Sequence, residues 1–399
     1  MQTTKFNPEI MVWARTTAGL TLEAAAHALG LNAAYGLTPE QRLTALETGE
    51  TEPTPTLLSK MAEKYRRPLL VFYLPEPPTT GDRGQDFRTT PGARPPLFDP
   101  DLDALIRDIK ARQSIVRSLQ EDLEAEPVPF IGSVTMSVPA KELAKHIADS
   151  MNFSLETFQA QKSTDLAFAY LRARIEDSGV FVLLLGNLGS HHTNIAADVF
   201  RGFAIADKLA PFVLINDQDA KIAWGFTALH ELVHLWLGTT GLSGENVAAE
   251  IEKYCNDVAG EVILPAVQLA SLRTLRTLGL RETKAAISAF AESHKVSRAM
   301  VAYRLFRSGV IVEQTLRSLT EQFKQDWLEG KAKLQARNKE NDGGPNYYIV
   351  RRHKLGAALL SLIDNSLRGG FLTQTKAGQV LGVKPRNVTP LLRETPVGF

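Results

Sequence analysis

The HExxH segment at 230–234 restricts the fold of this chain more than any other feature of its sequence. It lies in an apolar stretch, 219–238, that predicts a helix ended by Gly238. On a helix, His230 and His234 project from one face, one turn apart, so both imidazoles can reach one Zn2+. Glu231 lies about 100° further round the helix, where it can reach water bound to that metal. The alternative is a helix with two partly exposed histidines and a coincidental glutamate.

A catalytic zinc site also needs a third protein ligand and one open coordination position. The next predicted helix, 245–264, supplies carboxylates at Glu245, Glu250, Glu252, Asp257 and Glu261. Glu252, with Asn256 one turn later on the same face, resembles the Glu-x-x-x-Asp pair of Glu-ligand zinc peptidases, and this resemblance makes Glu252 the favoured ligand. Glu261 is the reserve candidate. For each carboxylate, the competing interpretation is a solvated residue or a salt-bridge partner. Cys255 is the only cysteine, and we interpret it as a small buried apolar residue.

Three short β-rich runs precede the motif, at 180–185, 202–206 and 212–215. The second and third are predicted to form an antiparallel edge beside the metal, where the backbone of a peptide substrate can add as an extra strand. His191 and His192 lie in the connection between the first two runs. They are candidates for extra metal binding or oxyanion stabilisation, but histidines in loops usually serve neither purpose.

The distribution of prolines, glycines and charges predicts several domains in this 399-residue chain. Residues 1–80 are predicted as short helices, with Thr21 and Thr38 as helix caps. A linker is expected at 81–100, a mostly helical α+β domain at 101–330, a second, charged linker at 331–346 and a small helical module at 347–399.

The overall composition is that of an ordinary globular protein in a reducing compartment. Lys and Arg number 45 against 44 Asp and Glu, so any nucleic-acid-binding surface must be local. A single cysteine cannot form an internal disulfide, and neither a signal peptide nor an 18-residue apolar run is evident. These features predict a cytoplasmic protein without a membrane partner.

The stretch RGFAIADKLAPFVLINDQDAKIAWGFTALHELVHLWLG at 201–238, followed by EIEKYCNDVAGEVILP at 250–265, resembles the ImmA/IrrE family of metallo-endopeptidases. The resemblance implies a gluzincin-like α+β fold with a small mixed or antiparallel sheet. It implies zinc held by His230, His234 and Glu252, Glu231 as general base, and Asn256 as a hydrogen-bond partner of a ligand histidine. Family members typically cleave a helix-turn-helix repressor and so derepress stress-response or mobile-element genes.

The N-terminal region resembles an XRE-type helix-turn-helix domain, through residues 15–30, 46–50 and 55–57. The stretch between Gly30 and Thr38 is longer than the usual turn. The expected recognition helix offers Gln41 and Arg42 as DNA-binding candidates, with only one basic side chain. The sequence therefore leaves DNA binding and protein docking both open for this domain.

The C-terminal tail resembles the extension found in fusions of these two domains, and residues 375–382 are similar to a second small helix-turn-helix. The tail is locally basic, and its basic side chains could form a solvated face or contact a DNA groove. They are Arg351, Arg352, Lys354, Lys384 and Arg386.

Two functions follow as hypotheses. The first is a zinc-dependent endopeptidase that cleaves a partner protein, either a helix-turn-helix repressor or the product of a neighbouring gene. The second is a DNA-binding regulator or antitoxin whose peptidase-like domain acts as a sensor or docking module, since such fusions can lie beside a toxin gene. An inactive zinc-binding scaffold is a third interpretation, and a homodimer is a further candidate assembly.

Overall fold

The structure, a computed structural model, describes residues 6–78, 99–239, 245–340 and 346–393. Helices predominate among these residues, together with one three-stranded sheet, which confirms the predicted α+β, mostly helical fold class. The described residues divide into two compact units. Residues 6–78 and 99–108 form the first unit, and those from Ile109 onward form the second.

Helices of the first unit begin where the sequence offers a capping side chain. They are α1 (Pro8–Thr17), α2 (Leu22–Leu29), α3 (Pro39–Glu47) and α4 (Pro55–Lys64), followed by a 3-10 helix at Leu69–Tyr73. Thr21 caps α2 by accepting a hydrogen bond from the N–H of Ala24, and Thr38 forms a capping box with Gln41. Both predicted caps are confirmed.

The connection between α2 and α3 is an ordered turn. A β-bridge joins Ala34 to Leu37, and the two residues at its tip, Tyr35 and Gly36, have left-handed φ values of 56° and 75°. Such a tip is characteristic of a tight hairpin turn. The Tyr35 side chain is 96% exposed. The unusually long stretch noted between Gly30 and Thr38 therefore forms a small protruding turn.

The sheet of the second unit contains β1 (Phe181–Leu184), β2 (Gly202–Ile205) and β3 (Phe212–Ile215). Its strand order is β1-β3-β2, with β1 parallel and β2 antiparallel to β3. Every residue of β1 and β3 is buried, as expected for short continuous apolar runs. The predicted antiparallel pairing of the second and third runs is confirmed, and β2 lies at one edge of this sheet.

Helices surround the sheet of the second unit. Its helices up to the metal motif are α5 (Pro100–Asp122), which begins in the first unit, then α6 (Ala140–Ser150), α7 (Leu155–Gln159), α8 (Thr164–Asp177) and α9 (Lys221–Leu237), with a 3-10 turn at His191–Thr193. Next come α10 (Glu245–Ile263), a 3-10 helix at Ala266–Thr277, α11 (Leu280–Ser293), α12 (Arg298–Arg307) and α13 (Glu313–Glu340). The helix that carries the HExxH segment, α9, packs against β2, β3, α8 and α10. Every residue from Trp224 to Trp236 is buried, so α9 is the central helix of this unit.

The C-terminal end of α9 is fixed by two glycines. Gly238 ends the helix with a left-handed φ of 64°. A Cβ atom on Gly238 would lie 2.7 Å from Cα of Gly132, so a larger residue would clash there as well as being strained. The N–H of Gly132 donates to the carbonyl of Leu235, which ties the two segments together.

The segment predicted as a second linker, 331–346, is helical over its first ten residues, because α13 continues to Glu340. Its sequence there contains no glycine or proline and is rich in Lys, Ala, Gln and Arg, which favour helix. The high charge of this segment predicted that it is exposed to solvent, and an exposed charged segment can still be helical. The predicted first linker, 81–100, lies outside the described residues up to residue 98.

The C-terminal module is helical, as expected. It consists of α14 (Tyr347–Leu355), α15 (Ala357–Arg368), α16 (Gln374–Leu381), a 3-10 turn at Pro385–Asn387 and α17 (Val388–Arg393). Its residues belong to the same compact unit as the sheet and α9.

A search of the described residues for membrane-spanning helices gives no single helix of sufficient length and apolar character. One pair, Ala249–Ile263 with Ala266–Arg276, satisfies the length and composition criteria only when joined, and it is bent by 98°.

Candidate metal centre

Two histidines of α9 and one glutamate of α10 converge on a single point. The Nε2 atoms of His230 and His234 lie 3.1 Å apart. The carboxylate of Glu252 spans them, with Oε2 3.2 Å from Nε2 of His230 and Oε1 3.3 Å from Nε2 of His234. The structure thus brings Glu252, the favoured third residue, together with the two histidines.

These separations fit a zinc ion. Ligands at about 2.0–2.1 Å from a tetrahedral centre are about 3.3 Å from one another. Two imidazoles and one carboxylate are also a donor set of catalytic zinc sites, which keep a fourth position open. The candidate ligand atoms of His230, His234 and Glu252 all lie within 4.8 Å of one another.

Burial excludes the interpretation of two partly exposed histidines on a helix surface. His230 and His234 are 0% and 1% exposed, and Glu231 between them is 1% exposed. Burying two imidazoles and the Glu231 carboxylate in an apolar core is costly unless each group is hydrogen-bonded or binds a cation. The cluster therefore has the character of a binding site rather than of a solvated helix face.

The outward Nδ1 atom of each imidazole has a neighbour that orients the ring. Asn256 Oδ1 lies 3.1 Å from Nδ1 of His230, in the position expected from its spacing after Glu252. His234 Nδ1 lies 3.3 Å from the hydroxyl of Thr239 and 3.7 Å from Sγ of Cys255. Sequence reasoning missed Thr239, because only the left-handed turn at the end of α9 brings it back towards the ring.

Glu231 lies against the edge strand. A Cβ atom on Gly202 would be 2.8 Å from Oε1 of Glu231 and 2.8 Å from Cγ2 of Thr227. A glycine at the start of β2 therefore allows the Glu231 carboxylate to approach the strand backbone. No sequence pattern identified Gly202, since its φ is unremarkable and only the close approach explains it.

Two family models match the chain. Residues 189–306 match the IrrE N-terminal-like domain, and residues 13–72 match the helix-turn-helix family. The chain is a fusion of these two domains. The first match contains the whole cluster and confirms the expected resemblance. No curated protein and no solved structure matches the chain.

Two other candidates on α10 of the IrrE N-terminal-like domain form ion pairs away from the cluster. Glu261, the reserve ligand, pairs with Arg304, and Asp257 pairs with Arg307 at 2.9 Å. The reserve assignment of Glu261 is therefore wrong, because its helical position, more than two turns after Glu252, directs it to a different neighbour. Glu250 is exposed, and the Glu245 side chain lies outside the described residues.

Cys255 and His192, the other candidates in this domain, agree with the simpler interpretation of each: a buried apolar residue and a loop histidine. Cys255 is fully buried, as predicted, although its sulfur also contacts the His234 ring. His192 is exposed, and the group of possible metal ligands found among the described residues does not include it.

In the helix-turn-helix domain, both DNA-binding candidates make contacts within the domain. The side-chain oxygen of Gln41 accepts the backbone N–H of Thr38 at 2.8 Å as part of the capping box. Arg42 donates to the carbonyl of Asn32 at 2.6 Å. Residues 20–54, which include both helices of the motif, carry five glutamates against this single arginine.

Basic residues of the C-terminal module are also engaged internally. Arg351 donates to the carbonyl of Leu381 at 3.1 Å, and Arg352 donates to the carbonyl of Leu391 at 2.7 Å. Lys354 forms a 2.6 Å ion pair with Asp217, which follows β3. At least these three of the five basic residues therefore stabilise the fold, which does not favour a groove-contacting role for them.

Proposed function

We propose that the chain is a zinc-dependent endopeptidase in which His230, His234 and Glu252 hold the metal. One observation carries this proposal: the ligating atoms of three side chains face one another at 3.1–3.3 Å beside a buried glutamate. Bound zinc supplies a Lewis acid that polarises a peptide carbonyl and lowers the pKa of water. The family match at 189–306 supports a metallopeptidase but does not specify the metal.

Glu231 is the general base in this proposal. Its carboxylate takes a proton from the attacking water and delivers it to the amine that leaves when the peptide bond breaks. The low exposure of Glu231 strengthens its electrostatic interactions with the reacting atoms. Gly202 keeps the edge strand close to this carboxylate, so a substrate bound along β2 would place its backbone near the base.

The proposed substrate is a partner protein, either a helix-turn-helix repressor or a neighbouring-gene product. Recognition by strand addition reads mainly the peptide backbone, so β2 by itself gives little sequence specificity. Specificity then depends on surfaces outside the metal centre, and the helix-turn-helix domain on the same chain is one such surface. Cleavage of a regulator would connect a cellular signal to gene expression.

The decisive experiment separates metal binding from catalysis. Glu231→Gln should fold, bind zinc as the wild type does and lose at least about 100-fold in cleavage, because it removes only the base. The assay co-incubates the chain with purified regulators encoded beside its gene and follows fragments by mass spectrometry. Glu250→Gln, an exposed position on α10, is the matched control. Cleavage by Glu231→Gln at the wild-type rate would disprove the assigned mechanism.

DNA binding by the helix-turn-helix domain is the alternative function, and the family match at 13–72 favours it. The engaged Arg42 and the excess of glutamates between residues 20 and 54 argue against groove contacts through α3. Fluorescence anisotropy of the full chain with its own promoter duplex and an unrelated duplex tests the alternative at low salt. We expect no preference for the promoter. Specific binding that Arg42→Ala abolishes would instead establish the regulator.

A further inference from the structure

The two candidate zinc ligands on α9 are oriented by different kinds of neighbour. The ring of His230 faces an amide oxygen, that of Asn256, at 3.1 Å. The ring of His234 faces a hydroxyl, that of Thr239, at 3.3 Å, with the thiol of Cys255 at 3.7 Å. The first neighbour lies on α10, the helix that also carries Glu252. Thr239 lies just after α9, the helix that carries the histidine itself.

The tautomer of His234 depends on these contacts. A histidine that coordinates a metal through Nε2 carries its proton on Nδ1, and that N–H needs an acceptor. The Thr239 hydroxyl has two lone pairs and can accept this hydrogen bond, whereas a thiol sulfur is a weak acceptor. Thr239 is therefore the stronger of the two neighbours of His234 Nδ1.

The backbone holds Thr239 in place. Gly238 turns the chain back at the end of α9, and the N–H of Thr239 donates to the carbonyl of His234 at 3.3 Å. The close approach of Gly238 to Gly132 limits any shift of this turn. The hydroxyl is thus carried by a constrained backbone and does not depend on a flexible side chain.

We propose that Thr239 is a positioning residue that orients His234 for zinc binding, with Cys255 as a weaker second contact. This inference rests on the proposed function, since it requires that the cluster binds zinc. Removing the hydroxyl leaves the ring less restrained in angle and tautomer. Loss of a hydrogen-bond partner of a ligand histidine typically lowers metal affinity by about 10–100-fold.

The test compares Thr239→Val, which removes the hydroxyl at similar size, with Thr239→Ser, which keeps it. Zinc affinity is measured by competition with a chromophoric chelator, and the absorption spectrum of the cobalt-substituted chain reports the ligand geometry. We expect zinc binding about tenfold weaker and a shifted cobalt spectrum for Thr239→Val, with affinity within twofold of wild type for Thr239→Ser. Thr135→Val, an exposed position in the same unit, is the control.

Cys255→Ala refines the assignment. Because sulfur is the weaker acceptor, it should weaken zinc binding less than Thr239→Val does. The double variant should bind more weakly than either single variant, since the two residues contact the same nitrogen. If the affinity order of the two single variants is reversed, Cys255 is the main positioning residue and the proposal is overturned.

The remaining outcomes distinguish this inference from the proposed function. If wild type and Thr239→Val bind zinc within twofold of each other with the same cobalt spectrum, Thr239 only terminates the helix and the inference fails. If wild type binds no zinc, or His230→Ala binds it equally well, the proposed function fails first. Should Thr239→Val unfold by circular dichroism, Thr239→Ala removes the hydroxyl without added bulk, and normal zinc affinity in that variant overturns the inference.

Discussion

Helix α2 of the helix-turn-helix domain and helix α16 of the C-terminal module are built from the same local signals. Each begins after a capping threonine, Thr21 or Thr373, and each ends at a left-handed glycine, Gly30 or Gly382. These shared signals explain why the tail resembles a second helix-turn-helix. They specify a short helix with defined ends and nothing about what that helix contacts.

The two helices differ in the path that the chain takes after each of them. After α16 the chain folds back closely onto the helix. A Cβ atom on Gly378 would lie only 2.8 Å from the carbonyl oxygen of Val383. The equivalent position in α2 is Ala26, which is buried with its Cβ atom in place. There the chain continues into the turn that exposes Tyr35. One local motif therefore gives a packed element in the module and a protruding turn in the helix-turn-helix domain.

A buried ion pair fixes the C-terminal module to the sheet of the second unit. Arg172 and Glu176 on α8 pair at 3.1 Å, and both are almost fully buried. Arg172 also donates to the carbonyls of Val182 in β1 and His353 in α14. Glu176 accepts the N–H of Ala357 at 3.0 Å, at the start of α15. The module is thus part of the fold that carries the metal centre.

Of the changes predicted here, breaking the Arg172–Glu176 pair should lower the free energy of unfolding most. Glu176→Ala removes the partner of Arg172 and the acceptor at the start of α15, so the free energy of unfolding should fall by about 3–5 kcal/mol. Burial raises the pKa of Glu176 although Arg172 opposes the shift, which indicates how strongly this site penalises an unpaired charge. Urea denaturation followed by tryptophan fluorescence measures the change.

Two control variants show whether the stability lost in Glu176→Ala is specific to the Arg172–Glu176 pair. Asp177→Ala removes an exposed partner of Arg174 one residue further along, and should cost less than about 1 kcal/mol. Glu47→Ala breaks another largely buried ion pair, with Arg15 inside the helix-turn-helix domain, and so shows the cost of losing such a pair where the module is not involved. If Glu176→Ala were no more destabilising than Asp177→Ala, the module would not depend on this pair.

Much of the metal centre could be predicted from sequence because it follows from helix periodicity. Two histidines four apart must share a face. The choice of Glu252 and Asn256 on the next helix came instead from their resemblance to the corresponding pair in zinc peptidases. Short apolar runs likewise predicted all three strands to within one residue at each end. These features depend on neighbours along the chain, so the sequence alone contains the necessary information.

Other features depend on approaches between distant segments. Gly202 matters because Glu231 lies against it, and Thr239 matters because Gly238 packs on Gly132. The basic residues of the tail predicted a charged surface, but long side chains can bury their stems while their charged ends reach backbone carbonyls. Arg351 of α14 does this by donating to the carbonyl of Leu381 at the end of α16. Composition predicts that such groups are charged but not which partner they meet.

Protonation of His353 offers a second, smaller way to loosen the module. Its ring lies 6.3 Å from that of Trp224 on α9, and burial, followed by the charges of Arg172 and Lys221, lowers its pKa from the ordinary 6.5. The folded state therefore binds this proton less readily than the unfolded state. Stability should fall as the pH drops below about 6.5 towards the folded-state pKa. Solvent screening of this exposed side chain should keep the slope below the limit of about 1.4 kcal/mol per pH unit for one proton.

The contribution of His353 is measured as a difference between variants. His353→Gln should have a shallower dependence of unfolding free energy on pH between 7 and 5 than wild type has. His27→Gln, at an exposed position on α2, is the control for replacing a histidine outside the module. An identical slope for His353→Gln and wild type would mean that another group produces the pH dependence.

The smallest predicted effect concerns the turn after α2. Tyr35 is not a glycine, yet it has a φ of 56°, and its side chain is almost fully exposed. Asparagine adopts this left-handed conformation more readily than tyrosine, so Tyr35→Asn should stabilise the helix-turn-helix domain by about 0.5–1 kcal/mol in urea denaturation. Leu37→Asn, at the neighbouring bridge position, provides the comparison because it changes polarity without relieving strain. Destabilisation by Tyr35→Asn would show that the tyrosine makes contacts that outweigh the strain, and the turn would then be a packed element like the one after α16.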